Sequence, residues 1–269
     1  MSWFQASWQR LSTFAIQLDL MSLFGGLWNR KASAAATDFS FLGTDMHSHL
    51  IPGVDDGVPD METSLSLIRK LHNCGYHTLI TTPHIFQDYY PNNTEILHAG
   101  YAKVKQALKK QQIPVTIRVA AEYYLDMHVM DLLEENVPLL TLADNKVLIE
   151  FSMLTPPLHR DEFLFQLRVK GYEPVIAHVE RYSYYHQQFD QYQYLYEKGF
   201  ALQLNLLSFT GQYGKKIQKT AHQLLEKGWV KYLGTDLHHY RHAAGLQQLQ
   251  NDRRLMQKLG AYPWENKNL

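Results

Sequence analysis

The chain has 269 residues, enough to bury a sizeable core, and α/β barrels of this length are commonly one undivided domain. Lysine plus arginine equals aspartate plus glutamate, 26 of each, so no global basic field draws the chain to nucleic acid. A single cysteine, Cys74, excludes a disulfide framework within the chain, and Ile80 stands where thiol-based phosphate chemistry of the C-x5-R kind needs an arginine.

Residues 1–40 differ from the rest. They are rich in tryptophan, lack histidine, and end in the loose run Lys31-Ala32-Ser33-Ala34-Ala35-Ala36-Thr37. The apolar stretch from Leu11 to Trp28 is broken by Asp19 and Gly25-Gly26, which makes it a poor membrane span. Arg10 alone makes a weak n-region for a secretory signal. The expectation is an amphipathic or flexible extension, or an upstream start with translation from Met21, ahead of a cytoplasmic domain spanning 41–269.

From residue 44 onward, strand-like and helix-like runs alternate. Apolar, β-rich runs fall near 44–49, 77–83, 115–121, 146–151, 173–178, 200–206 and 230–235. Amphipathic stretches lie near 60–74, 93–111, 126–136, 159–171, 186–199, 214–228 and 244–260, several with a glycine stop at Gly75, Gly171, Gly199 or Gly228. Strands each followed by a helix predict a parallel sheet, and the short connections favour a closed barrel over an open sheet. Cys74, at the end of a predicted helix, reads as a small packing residue. Tyr185, Phe189, Tyr192 and Tyr196 recur at steps of four, three and four, predicting one packed helix face rather than a partner surface.

The candidate chemistry sits at the C-terminal ends of the predicted strands, where a barrel carries its site. Strand one runs into Asp45-Met46-His47-Ser48-His49, then Asp55-Asp56-Gly57. Alternation puts His47 and His49 on one face, roughly 7 Å apart along the backbone. With 14 His in 269 residues, chance alone supplies roughly 0.7 H-x-H triplets, so the motif counts only in company. The company is present: His84 ends strand two, Glu122 strand three, Glu150 strand four and His178 strand five, with Arg181 three residues on. The last strand supplies Asp236 and His238; the sixth supplies no ligand type. So many charged groups at one barrel rim need a shared partner. Nitrogen and oxygen ligands without thiolates suit Mn, Fe or Zn.

In this order the residues resemble the polymerase and histidinol phosphatase (PHP) superfamily over residues 44 to about 245. Within it they look most like the manganese-dependent bacterial tyrosine phosphatases of capsule and exopolysaccharide operons. The strings DMHSHLIPGVDDG, AAEYY, LIEFS, IAHVERY and GTDLHH carry that closer likeness, as does a carboxylate at Glu150 where several relatives use histidine. The resemblance implies an α/β fold, a (β/α)7 distorted TIM-like barrel holding three divalent ions. One ion would take His47, His49, Glu122 and Asp236; a second, Glu150 and His178 with Glu122 bridging; a third, Asp56, His84 and His238. Arg181 matches a family arginine expected to hold a phosphoryl oxygen. A second arginine is expected after D-x-H; Arg241 is nearest, at a different spacing. Asp55, or an aromatic residue among Tyr123 and Tyr124, is expected to shape the entrance.

The implied reaction is phosphomonoester hydrolysis by a water that the metal ions activate, since a bound ion lowers its pKa from about 15.7 to about 7. The implied partner is a phosphotyrosine protein, the Tyr-rich tail of a polysaccharide-export tyrosine kinase. Three alternatives remain at this point. A small-molecule phosphatase such as histidinol phosphatase would use the same metals. A TatD-like nuclease shares H-x-H and the last-strand Asp but needs no third site. A regulatory module would keep the barrel only as scaffold.

Overall fold

Each apolar run becomes a short strand because β-branched and aromatic residues fit a pleated, half-buried surface. The strands are β1 (Thr44–Asp45), β2 (Thr78–Thr81), β3 (His84–Ile85), β4 (Thr116–Val119), β5 (Glu122–Tyr124), β6 (Lys146–Glu150), β7 (Glu173–Ile176), β8 (Ala201–Asn205) and β9 (Tyr232–Gly234). The helices are α1 (Met61–Asn73), α2 (Thr94–Lys110), α3 (Met127–Glu134), α4 (Arg160–Val169), α5 (Asp190–Glu197), α6 (Lys215–Lys227), α7 (Tyr240–Gln250) and α8 (Arg253–Gly260). The structure, a computed structural model, describes residues 37–269. The extension expected over 1–40 therefore lies, up to residue 36, outside the described residues, together with the Leu11–Trp28 stretch and Met21. No helix among the described residues is long and apolar enough to cross a membrane.

All strand pairs are parallel, in the orders β1-β2-β4 and β3-β5-β6-β7-β8-β9. Two expected strands are each split in two. The run 77–83 breaks at Thr82-Pro83, because proline has no N–H for the ladder. The facing run breaks at Ala120-Ala121. Pairing continues across both breaks, since Ala120 N donates to Thr81 O at 2.9 Å and Glu122 N to Pro83 O at 3.1 Å. The first expected strand, 44–49, keeps regular pairing only over Thr44–Asp45. Past it, Asp236 N donates to His47 O at 2.7 Å and His49 N to Leu237 O at 2.9 Å. The last strand thereby meets the first, and the curled parallel sheet is consistent with a distorted TIM-like barrel.

The helices form where polar caps and apolar stripes coincide. Asp60, Asn93 and Asp126 accept from the amides of Thr63, Ile96 and Val129, satisfying donors that a helix start leaves free. The expected helix over 244–260 is two, α7 and α8, because Asp252 interrupts it and caps the second by accepting from Leu255 N at 3.0 Å. The expected helix over 186–199 shortens to α5, preceded by 3-10 turns at Val179–Arg181 and Ser183–Tyr185. Of the aromatic stripe, Tyr185 and Tyr192 are buried, whereas Tyr196 is 42% exposed and stacks on Trp229.

The main core lies between the strands and the surrounding helices, with Leu65, Ile68, Leu79, Val147, Ile149, Leu202 and Leu233 among its fully or nearly fully buried members. Burying each such side chain contributes roughly 1.5–3 kcal/mol. Cys74 joins this core, and burial pushes its thiol up to about 11, as suits a packing residue. A second cluster of Met46, Ile80, Ala120, Leu148, Val175, Ala177 and Tyr232 fills the space the strands enclose. It forms the floor beneath the polar cluster at the strands' C-terminal ends.

Candidate metal centre

His47 and His49 meet as the alternation predicts. Their Nε2 atoms lie 3.4 Å apart. His47 Nε2 is 3.0 Å from Glu122 Oε2 and 3.3 Å from Asp236 Oδ1; His49 Nε2 is 3.3 Å and 3.5 Å from the same two atoms. Each ring is set from behind. Gln203 Oε1 faces His47 Nδ1 at 3.2 Å, and Asp55 Oδ2 faces His49 Nδ1 at 2.7 Å. With each Nδ1 held by an acceptor, each Nε2 turns its lone pair to the same point. The loop carrying Asp55 folds tightly on His49: a Cβ at Gly57 would stand 2.5 Å from the His49 carbonyl oxygen, so only glycine fits there.

The remaining predicted ligands join the same cluster. His84, Glu122 and Glu150 form a second group and His49, Asp56, His84 and His238 a third; in each, as in the first, one donor atom per residue lies within 4.8 Å of the others. His84 bridges them, with Nδ1 3.3 Å from Glu122 and 3.6 Å from Glu150, and Nε2 3.6 Å from Asp56. His238 Nε2 is 3.5 Å from Asp56, and its ring stacks on His49 at 3.9 Å. His178 Nε2 lies 3.0 Å from Glu122 Oε1 and 3.6 Å from Glu150 Oε1. The grouping differs from the expected one in two respects: His49 also faces the third group, and His84 sits beside Glu122 and Glu150 as well as Asp56. His178 and Asp236 both hold left-handed backbones, with φ of +28° and +49°. Such strain gathers where a site dictates side-chain direction.

The electrostatics call for cations. Burial opposes ionisation of Glu122, yet His47, His84 and His178 hold its carboxyl well below the usual range. Burial and then the charge of Glu122 push Glu150 well above it. Burial and then Arg181 push His178 down to about 4, so its imidazole is neutral and free to ligate. Arg181 Nη1 donates to Asp236 Oδ2 at 2.8 Å, and among the described residues it is the one arginine or lysine in ion-pair contact with this cluster. His84 Nδ1 and His178 Nδ1 are buried without a hydrogen-bond partner. Imidazole nitrogens, carboxylate oxygens and unspent negative charge are what divalent transition metals take, so the donor set fits them.

Three expectations need correction. Asp55 does not line an entrance. Its side chain is fully buried and accepts from His49, Gly57 N at 3.0 Å and His84 N at 3.1 Å, and although burial opposes ionisation, His49, His84 and Gly57 together bring its carboxyl down to about 2. Tyr123 is a core residue whose hydroxyl accepts from Leu140 N at 2.8 Å. Arg241 is exposed on the first turn of α7 and makes no ion pair among the described residues. A helix starting at Tyr240 turns that position outward. Tyr124 stacks on Phe86 at 3.9 Å.

Several functional neighbours carry weaker signals. Gln203 Oε1 also accepts from His178 N at 2.8 Å, and Asn205 Nδ2 donates to Asp236 Oδ2 at 2.8 Å. The alternation Leu202-Gln203-Leu204-Asn205 was the readable sign: the strand without ligands turns polar side chains inward. Glu180, buried and pushed by burial up to about 7, accepts from Asn205 N and Ser208 Oγ at 2.9 and 2.6 Å. Tyr90 stacks on His84 with ring centroids 5.4 Å apart.

The family model for capsular polysaccharide synthesis, CpsB/CapC, matches residues 43–261, which takes in every ligand candidate. The chain belongs to the CpsB/CapC family. Among its relatives, the tyrosine-protein phosphatase YwqE of Bacillus subtilis is 31% identical over 73% of this chain and 78% of its own length. The tyrosine-protein phosphatase CpsB of Streptococcus pneumoniae is 29% identical over 72% of this chain and 82% of its own. A chain from the crystal structures of YwqE and CpsB, described as unique metal-dependent tyrosine phosphatases, superposes with a TM-score of 0.71 at 26% identity, covering 84% of this chain and 90% of that one. Those likenesses fit the donor set gathered at the strand ends here.

Proposed function

We propose that this chain is a metal-dependent protein-tyrosine phosphatase of capsule or exopolysaccharide synthesis. The observation that carries the reading is the convergence of nine imidazoles and carboxylates, drawn from strand ends across the barrel, with Arg181 ion-paired at their edge. We read three divalent ions, manganese foremost: one on His47, His49, Glu122 and Asp236; one on Glu122, Glu150 and His178; one on Asp56, His84 and His238. When bound, such ions supply a water nucleophile near neutral pH and neutralise charge on the phosphoryl oxygens. We read β2 with β3, and β4 with β5, as single barrel positions, which makes the fold a (β/α)7 barrel preceded by an extension over residues 1–40.

The chain's own residues do the rest. Asp236 pins Arg181 through Nη1, leaving the other guanidinium donors for a phosphoryl oxygen. Asp55 and Gln203 keep His49 and His47 in the tautomers that expose Nε2. Asp56, with its side chain 53% exposed, marks the side from which substrate enters. Phenol, with a pKa near 10, leaves far more readily than a serine alkoxide, so tyrosyl phosphate asks little of a general acid. The names of the relatives, tyrosine-protein phosphatases, support a phosphotyrosine protein as substrate, and we propose the Tyr-rich tail of a polysaccharide-export tyrosine kinase, met in the cytoplasm.

The test pairs metal analysis of the purified protein with turnover of a tyrosine phosphopeptide, a serine phosphopeptide and histidinol phosphate, with Mn and with chelator. The expected outcome is chelator-sensitive release of phosphate from the tyrosine peptide, lost by at least a hundredfold in Glu122→Gln. Turnover indifferent to both chelator and Glu122→Gln would overturn the assignment, and preference for histidinol phosphate would move it to a small-molecule phosphatase.

A further inference from the structure

Tyr213 is a residue that neither the ligand pattern nor the family likeness singles out. It lies in the connection between the 3-10 turn Leu206–Thr210 and α6. That connection is closed by a hydrogen bond from Gly214 N to Gly211 O at 2.9 Å. Helix α7 lies alongside it: a Cβ on Gly245 would stand 2.8 Å from Gln212 Oε1 and 2.9 Å from Leu207 Cδ2. The segment is thus closed by a turn and flanked by α7.

That ring lies against Arg181. The Arg181 Cζ stands 4.9 Å from the ring centroid, within cation–π range, while Nη1 is tied to Asp236. On another side, His242 meets Tyr213 edge-on, with centroids 6.2 Å apart at 84°. His242 is itself 9% exposed and set by the Asp236 carbonyl, 3.1 Å from its Nδ1. The Tyr213 hydroxyl, in contrast, is buried and has no hydrogen-bond partner among the described residues.

We propose that Tyr213 is the positioning residue of Arg181: its ring and the Asp236 carboxylate form two sides of a clamp that holds the guanidinium in the plane where it receives a phosphoryl oxygen. An arginine tied at one nitrogen alone swings about that bond, and a flat π-face removes the swing at little cost. The proposal rests on the phosphatase reading for its substrate, but the clamp itself is testable without turnover.

The experiment is a double-mutant cycle on the manganese-loaded full chain, with Tyr213→Phe, Tyr213→Leu and Tyr213→Met in wild-type and Arg181→Ala backgrounds. Two readouts are taken: kcat and KM for a tyrosine phosphopeptide, and binding of inorganic phosphate by calorimetry. Manganese content and thermal unfolding are recorded for each variant. Tyr213→Phe keeps the ring and is expected within about threefold of wild type in both readouts. Tyr213→Leu and Tyr213→Met are expected to weaken phosphate binding and kcat/KM roughly tenfold, with unchanged manganese content. In the Arg181→Ala background, the same changes are expected to cost nothing further. Equal losses in Tyr213→Phe and Tyr213→Leu would overturn the proposal, as would an undiminished loss without Arg181. Met stands in for Leu if the latter fails to fold. A wild type that binds phosphate but turns over no phosphopeptide would defeat the phosphatase reading while leaving the clamp to be judged by the calorimetric cycle.

Discussion

Gln203→Met is the sharpest test of how the metal centre is held. One oxygen, Gln203 Oε1, faces His47 Nδ1 at 3.2 Å and accepts from His178 N at 2.8 Å. It ties His47 to His178, two residues past β7, and Gln203 itself is fully buried. Methionine matches the volume but accepts no strong hydrogen bond, so two buried donors lose their acceptor at once. Each such loss costs about 1–3 kcal/mol, and some of it is recovered by burying the thioether, which leaves about 3 kcal/mol net. For a domain of this size that corresponds to a melting temperature lower by roughly 6–12 °C. A freed His47 ring and an unanchored His178 backbone are also expected to weaken metal binding about 10- to 100-fold. Thermal unfolding in chelator reads the first effect, and a manganese titration by calorimetry reads the second. A variant that melts within 1 °C of wild type and binds manganese equally well would refute the claim that β8 frames the site.

Two further outcomes follow from the same geometry. Asp55→Asn keeps one oxygen, enough for the amide of Gly57 or that of His84 but not both, and removes the charge behind His49 Nδ1, so metal affinity is expected to fall about 10- to 100-fold in chelator competition; wild-type affinity would show that Asp55 does not orient His49 for metal. His222, on α6 against Phe209, has its pKa lowered by burial and then by Lys258, so the unfolded chain takes up a proton that the fold resists. Its contribution is whole above its ordinary value of 6.5 and is lost as pH falls below that, so the stability gap between wild type and His222→Gln in urea titrations is expected to shift against wild type from pH 7 to pH 5. A gap that does not change between those two pH values would contradict this.

The candidate ligands could be picked out in the sequence because strand ends are the one place where a barrel's topology can be read without knowing its packing. An apolar run ending in His84, Glu122, Glu150 or His178 announces both the strand and the rim. Residues whose direction depends on irregular backbone were harder. Asp55 follows a turn that folds back on His49, and its neighbour Asp56 points the other way, which residue type alone does not decide. Arg241 was assigned by proximity in sequence, but the helix that His239 starts, by accepting from His242 N, carries it outward. The split at Pro83 was readable from the proline; the matching break at Ala120-Ala121 arises only from pairing with it. Tyr213 had no local sign, since its role depends on a guanidinium thirty-two positions earlier in the chain.

What binds these observations is charge. Asp55, Asp56, Glu122, Glu150 and Asp236 bring five carboxylates to one rim, and Arg181, paired with Asp236, is the one arginine or lysine in ion-pair contact with them among the described residues. Two of them, Glu122 and Glu150, are driven in opposite directions, one held ionised by imidazoles and the other kept from ionising by burial and its neighbour. Neighbouring buried carboxylates that cannot both carry charge are costly in a fold built for stability alone. The cost disappears when cations enter between them, because each added positive charge favours ionisation of Glu150 and coordination by the neutral imidazoles of His84 and His178 together. The arrangement is thus unfavourable as bare protein and favourable as a metal complex, which is why removal of metal is expected to be felt as lost stability as well as lost phosphate release.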